Sequence, residues 1–280
     1  MIRPRFGVEI EFNRAHVGEA DIARALTEAG LETQFENYNH HTRAHWKLTT
    51  DSSCGLELVT PPLFWEDRHS LREACRVLQS LGATVNGDCG LHVHHEWPWM
   101  GGVRWRNRQE RLARVRRVVV VYESLLPLLR CILPKTRFSI DHEGVGAERY
   151  CRWNSGLVIS GDGSNEGIEG VRYEGRAKYV AVNTENLSSR TTIEFRQHQG
   201  TLNPTKIIGW VELTRQVVHA ASILDDQIPE GVTRASLIFD KMSTSTIRYL
   251  SQRCEEHETT LDEKIEEITA TLNEVMAGPA

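Results

Sequence analysis

The 280-residue sequence has no apolar run near the ~20 residues that a membrane-spanning helix needs. It has no C-x-x-C pair and no G-x-x-x-x-G-K-[ST] loop, which excludes the simplest dithiol motif and the P-loop. Positive charge is not in excess: 33 Lys and Arg stand against 38 Asp and Glu, a net charge of −5. That balance gives no general electrostatic reason to bind nucleic acid, and none is expected as a partner. Met1 to Arg5 leads straight into an apolar alternation, so no signal peptide is expected. The six cysteines are widely spaced, and a chain of this length can bury a core without disulfides. Reduced thiols in a cytoplasmic protein are expected. No internal repeat is visible. With 40% hydrophobic and 25% charged residues, the composition is that of a globular chain.

What is present is a recurring grammar. In Phe6-Gly7-Val8-Glu9-Ile10-Glu11-Phe12, strand alternation puts Phe6, Val8, Ile10 and Phe12 on one face and Glu9 and Glu11 on the other. Neighbouring carboxylates disfavour each other's ionised form, so water or a hard cation such as Mg²⁺ must offset them. Gly90-Leu91-His92-Val93-His94 repeats the pattern with His92 and His94, and Thr192-Ile193-Glu194-Phe195-Arg196 repeats it with Glu194 and Arg196. A single E-x-E is most simply a solvated face. Three such strands would line one groove on a single sheet.

Taken in order, the sequence predicts a helix over 18–29 and a strand over 31–35. A polar turn follows, holding His40 and His41, two residues that point different ways. A hairpin is expected from strands over 45–50 and 56–60, with Asp51 closing its turn and Glu57 on the face opposite its leucines. A helix over 65–81 precedes the H-x-H strand. Cys89 beside His92 invites a thiol-nucleophile reading, but a buried structural cysteine is the commoner case. A long helix is expected over 105–133, with Arg104, Arg106, Arg108, Arg111, Arg114, Arg116 and Arg117 along its first half as a solvated basic face. Residues 160–170 carry four glycines and read as a mobile loop, either a lid or simple surface. A strand over 178–183, a helix over 205–224 and helices over 235–253 and 255–276 complete the chain. The expected division is a catalytic domain over 1–228 and a helical extension over 229–280 that could serve as an oligomer contact.

Carboxylates and imidazoles in one groove with an arginine beside them suit a metal-bound polyphosphate. Mg²⁺ takes carboxylate and phosphate oxygens, and arginine offers phosphate a planar fork. The competing chemistry is a zinc hydrolase, with His92, His94 and a Glu as ligands and His198 as a further imidazole.

These pieces together resemble the amidoligase family, within the carboxylate–amine ligases that include glutamine synthetases and glutamate–cysteine ligases. The matching stretches are Phe6 to Phe12, Asp51-Ser52-Ser53 through Glu57 to Pro62, Cys89 to His94, and Thr192 to Arg196 through Gly200-Thr201-Leu202-Asn203. The resemblance implies an α+β, glutamine-synthetase-like fold: a curved, mostly antiparallel sheet with helices packed on one face. It implies ATP with Mg²⁺ (or Mn²⁺ in its place), and amide formation between a small-molecule or peptide carboxylate and an amine through an acyl phosphate. On that basis Glu9, Glu11, His92 and Glu194 are expected metal ligands, and Arg196 would hold the transferring phosphoryl group. Glu57 is a further catalytic candidate. His94, Lys178 and Asn183 are candidates for nucleotide contact.

Overall fold

A computed structural model describes residues 3–13, 17–97, 108–138, 151, 153, 157–159, 165–167, 179–187, 191–223 and 232–277. The E-x-E stretch forms strand β1 (Phe6–Phe12), whose Phe6, Val8, Ile10 and Phe12 are buried as the alternation requires. Each such side chain contributes about 1.5–3 kcal/mol by leaving water. Helix α1 (Glu19–Glu28) follows and buries Ile22, Ala23 and Leu26. Gly30 ends it with φ +85°, a left-handed conformation that favours glycine. Strands β2 (Thr33–Glu36), β3 (Trp46–Asp51) and β4 (Gly55–Val59) come next. A 3-10 turn (Trp65–His69), in place of the expected first helical turn, leads into α2 (Ser70–Ser80). Strand β5 (Gly90–Glu96) carries H-x-H.

The helix expected over 105–133 is two helices, α3 (Arg108–Ser124) and α4 (Leu126–Ile132), with residues 105–107 outside the described set. Pro127 makes the break: it has no N–H for the ladder and its ring crowds the carbonyl four residues back, so it sits in the first turn of a new helix. Of the glycine-rich segment, Asn165–Gly167 is strand β7, paired antiparallel with β6 (Leu157–Ile159); the remainder of 160–170 lies outside the described residues, as do Arg104 and Arg106. Of the strand expected over 178–183, Val182–Asn183 is β8, and residue 178 lies outside the described residues. Strand β9 (Thr192–Gln199) carries E-x-R, and α5 (Pro204–Ile223) begins where Asn203 caps it through Oδ1 to Thr205 N at 2.9 Å.

The helix expected over 235–253 is also divided, into α6 (Ser236–Phe239) and α7 (Thr244–Glu255). Ser243 caps α7, and the buried Glu212 of α5 accepts bonds from Ser243 N at 2.8 Å, Ser243 Oγ at 2.6 Å and the Thr246 hydroxyl. The last helix, α8 (Leu261–Ala277), starts later than expected, because Thr260 and Glu263 form a reciprocal cap.

Among the described residues, seven strands form one sheet in the order β2-β3-β4-β1-β5-β9-β8. Only β2–β3 is parallel. The architecture is therefore α+β with a mostly antiparallel sheet. One continuous apolar cluster joins the sheet to α1–α5 and to α6–α8, with Ile268 and Leu272 of α8 fully buried in it. α7 crosses α5 so closely that a Cβ on Gly209 would lie 2.9 Å from the Tyr249 ring. All six cysteines are free and buried. No described helix is long and apolar enough to cross a membrane.

Candidate active site

β1 lies at the middle of the sheet with β4 on one side and β5 on the other, so register decides what its polar face meets. Opposed residues on paired strands point to the same side. Glu9 stands opposite His92, Glu11 opposite Glu57, His94 opposite Glu194, and Asn183 opposite Glu194. Five strands thus bring Glu9, Glu11, Glu57, His92, His94, Glu194 and Asn183 to one face, away from the apolar cluster. They line a cleft of about 740 Å³ together with Arg196.

β9 contains a bulge here. Between the pairs Leu91–His198 and Val93–Phe195, three steps of β9 span two of β5. The extra residue turns His198 off the face of Glu194 and Arg196. Its ring packs 5.2 Å from Trp210 of α5, and Nδ1 bonds Gln199 O at 2.6 Å. Burial lowers its pKa to about 4. His198 is therefore not a groove imidazole, and the sequence expectation that it could join a zinc site is corrected.

The groove side chains interlock. Glu9 Oε2 meets His92 Nδ1 at 3.0 Å, and Glu9 Oε1 lies 3.1 Å from His94 Nε2. Both imidazoles of the H-x-H strand therefore close on the one Glu9 carboxylate. Glu11 Oε1 lies 3.6 Å from His92 Nε2, and Glu11 Oε2 accepts Gly90 N at 2.6 Å. Glu194 pairs with Arg196 through Oε1 and accepts Asn183 Nδ2 at 2.8 Å through Oε2. Gly90 is required by proximity: a Cβ there would sit 2.7 Å from His92 Nε2 and 3.3 Å from Glu11 Oε2.

Charge follows from these contacts. Burial would raise Glu9, but His94 and His92 more than offset it and hold Glu9 well below the usual carboxylate range. Burial likewise opposes ionisation of Glu194, yet Arg196 and His94 keep it low. Burial pushes His94 down, and Glu9 and Glu194 outweigh that and raise it. Glu57 goes the other way: burial, then Glu9, Glu11 and Asp51, push it well above the usual range.

The cleft also holds Lys47, which the sequence reading did not single out, beside residues that it did. Asp51 Oδ1 closes the β3–β4 turn by accepting Ser53 N at 2.7 Å and Cys54 N at 3.2 Å, as expected, but Asp51 also lies with Glu11 and Cys54 in a potential metal-ligand group. Lys47 Nζ bonds Asn39 O at 2.7 Å and so holds the Tyr38–Thr42 loop at the rim, where His40 and His41 are exposed. The signal for Lys47 was available: it shares strand parity with Thr49, the partner of Glu57. The Cys89 thiol bonds Asn86 Oδ1 at 3.3 Å, not an imidazole. Lys178 lies outside the described residues.

The donor set fits a hard divalent cation. Glu9, Glu57 and His92 can offer ligand atoms within 4.8 Å of one another, and so can Glu9, His94 and Glu194. Each group has two carboxylates to one imidazole.

This is the setting for comparison with known proteins. Residues 3–100 match the family model described as "Putative amidoligase enzyme". The amidoligase match covers Glu9, Glu11, Glu57, His92 and His94 and ends before Glu194 and Arg196. No curated protein matches the chain. Among solved structures, it is similar to the crystal structure of the complex between Prokaryotic Ubiquitin-like Protein Pup and its Ligase PafA, at 13% identity and a TM-score of 0.35. That alignment takes in 96% of this chain and 63% of the other.

Proposed function

We propose that the protein is an ATP-dependent carboxylate–amine ligase with a glutamine-synthetase-like catalytic domain, forming an amide or peptide bond through an acyl phosphate. One observation carries the reading: strands far apart in sequence present two carboxylate-rich, imidazole-containing donor groups and an arginine on one face of one cleft. The amidoligase match over residues 3–100 supports it. Two carboxylates and one imidazole per group favour Mg²⁺ or Mn²⁺ over zinc, and with His198 turned away, the donor groups among the described residues hold His92 and His94 as their imidazoles.

On this reading Glu9, Glu11, His92 and Glu194 hold divalent ions, which would supply charge neutralisation for a polyphosphate. Glu57 and His94 complete the donor groups. Arg196, fixed by Glu194, offers its fork to the phosphoryl group, where positioning and electrostatics do most of the work. Asn183 acts by orienting Glu194. The protein is incubated with Mg-ATP and a panel of amino acids and peptides, with phosphate release as readout. Release that requires both a carboxylate and an amine is expected. Turnover without nucleotide, in zinc-loaded protein, would replace the ligase with a hydrolase.

A further inference from the structure

A second surface, outside the cleft lining, is rich in cations. It is built on the 3-10 turn Trp65–His69, on α5 and on the turn after α6. Two guanidiniums share one indole: the Cζ of Arg68 lies 4.6 Å, and that of Arg215 5.0 Å, from the Trp65 ring centroid. Arg68 Nη1 donates to Trp65 O at 2.9 Å, while the half-buried Arg215 side chain makes no hydrogen bond or ion pair among the described residues. One turn further along α5, His219 Nε2 accepts Lys241 Nζ at 3.0 Å. Neighbouring carboxylates are engaged elsewhere. Glu66 pairs with Arg3 at 3.4 Å, Asp67 accepts Phe64 N at 3.0 Å, and Glu212 is held by Ser243 and Thr246. The positive charges therefore act on one another. Burial lowers the pKa of Arg215, Glu212 and Glu66 oppose it, and Arg68 adds to it; burial, then Lys241 and Arg215, lowers that of His219. Such a surface attracts an anionic partner.

The chain itself carries a matching one. On α8, Asp262, Glu266, Ala270 and Glu274 fall at four-residue steps, on one face, and all are exposed. None of these three carboxylates makes a hydrogen bond or ion pair among the described residues, whereas the adjacent Glu263 and Glu267 are held by Thr260 and Lys264. Arg215 and His219 are also four apart, so the two rows share a step of about 6 Å. Ala270 leaves a gap in the stripe for an aromatic side chain, and Phe64 beside Trp65 is 42% exposed. Within one chain α8 packs on α3 and α4, anchored by the buried Ile268 and Leu272, and no described ion pair joins it to Arg68, Arg215 or Lys241.

We propose that the Trp65–Arg215–Lys241 surface receives the acidic face of α8 from a second copy of the chain, so that copies associate head to tail. The contact is heterologous: each copy offers one patch and one stripe, and the assembly closes into a ring or extends as a chain. It does not depend on the ligase reading.

The test is sedimentation velocity of the full chain over a range of concentrations, at about 0.1 M and about 1 M salt, between which the screening length falls from ~10 Å to ~3 Å. Wild type is expected to gain mean mass with concentration at low salt and to associate at least ~10-fold more weakly at high salt. Arg68→Gln/Arg215→Gln loses the patch and keeps the stripe; Asp262→Asn/Glu266→Gln/Glu274→Gln does the reverse. Both are first matched to wild type by circular dichroism, and the single changes Arg215→Gln and Glu266→Gln serve where a multiple variant does not fold. Each variant alone is expected to be monomeric. Their equimolar mixture is expected to give a heterodimer and nothing larger, since one intact patch meets one intact stripe. A wild type that stays monomeric, or whose association ignores salt, overturns the inference. So does a variant that associates like wild type, or a mixture that holds only monomers.

Discussion

Glu9 of β1 and His92 of β5 are direct antiparallel partners, and their side chains meet at 3.0 Å between Oε2 and Nδ1. The pairing ties the site to strand register: a slip of one residue would send one of them into the apolar cluster. Glu9 is also common to two of the three donor groups. Glu9→Gln keeps the volume and removes the charge. Mn²⁺ affinity, followed by the EPR signal of the free ion, is expected to fall at least ~10-fold with the circular dichroism spectrum unchanged. Undiminished affinity would remove Glu9 from the ligand set.

Gly90→Ala puts a methyl group 2.7 Å from His92 Nε2 and 3.3 Å from Glu11 Oε2. The imidazole must move, and Glu11 risks losing the Gly90 N–H bond of 2.6 Å. The variant is expected to lose about 1–3 kcal/mol in urea unfolding and to bind Mn²⁺ more weakly than wild type. Wild-type behaviour in both assays would show that the close approach carries no functional weight.

Arg196→Lys retains a positive charge beside Glu194 and loses the two-pronged donor geometry. Phosphate release is expected to slow by at least ~10-fold, about 1.4 kcal/mol in the barrier, while the urea midpoint stays near that of wild type. Wild-type turnover would reduce Arg196 to a counter-ion for Glu194.

Glu123 on α3 provides a pH test away from the cleft. Burial raises its pKa from 4.5 to about 7, and its Oε1 has no hydrogen-bond partner. The folded state therefore holds a proton that the unfolded state releases. Stability from this group is complete below about pH 4.5 and is lost as pH rises through about 7. The loss is at most about 3 kcal/mol, and smaller where solvent screens the group. Glu123→Gln is expected to match wild type in urea unfolding at pH 5 and to exceed it at pH 8. Parallel pH dependences in the two proteins would assign the trend to other groups.

Much of the groove was legible because strand parity is a short-range property. The alternation in Phe6–Phe12, Gly90–His94 and Thr192–Arg196 is enough to put each polar pair on the non-core face. Sequence pattern does not reveal the bulge in β9, since an extra residue there depends on which strand lies opposite; the bulge is what separates His198 from Arg196. Arg137, a lining residue of the same cleft, was missed for a similar reason: its partners are carbonyls of a loop some fifty positions earlier, and carbonyls leave no trace in residue identity. The two divided helices were legible as well: Pro127 marks one division and Ser243 the other, but apolar spacing across each gap mimics a continuous stripe.

The most direct measurement is the thermal unfolding midpoint of the full chain, titrated with Mg-ATP and, separately, with Zn²⁺. A ligand that binds only the folded state raises stability by RT ln(1 + [L]/Kd). The account predicts a midpoint that climbs with Mg-ATP in wild type and stays flat in Glu9→Gln and Glu194→Gln. A wild-type midpoint indifferent to Mg-ATP but raised by Zn²⁺ alone would contradict it.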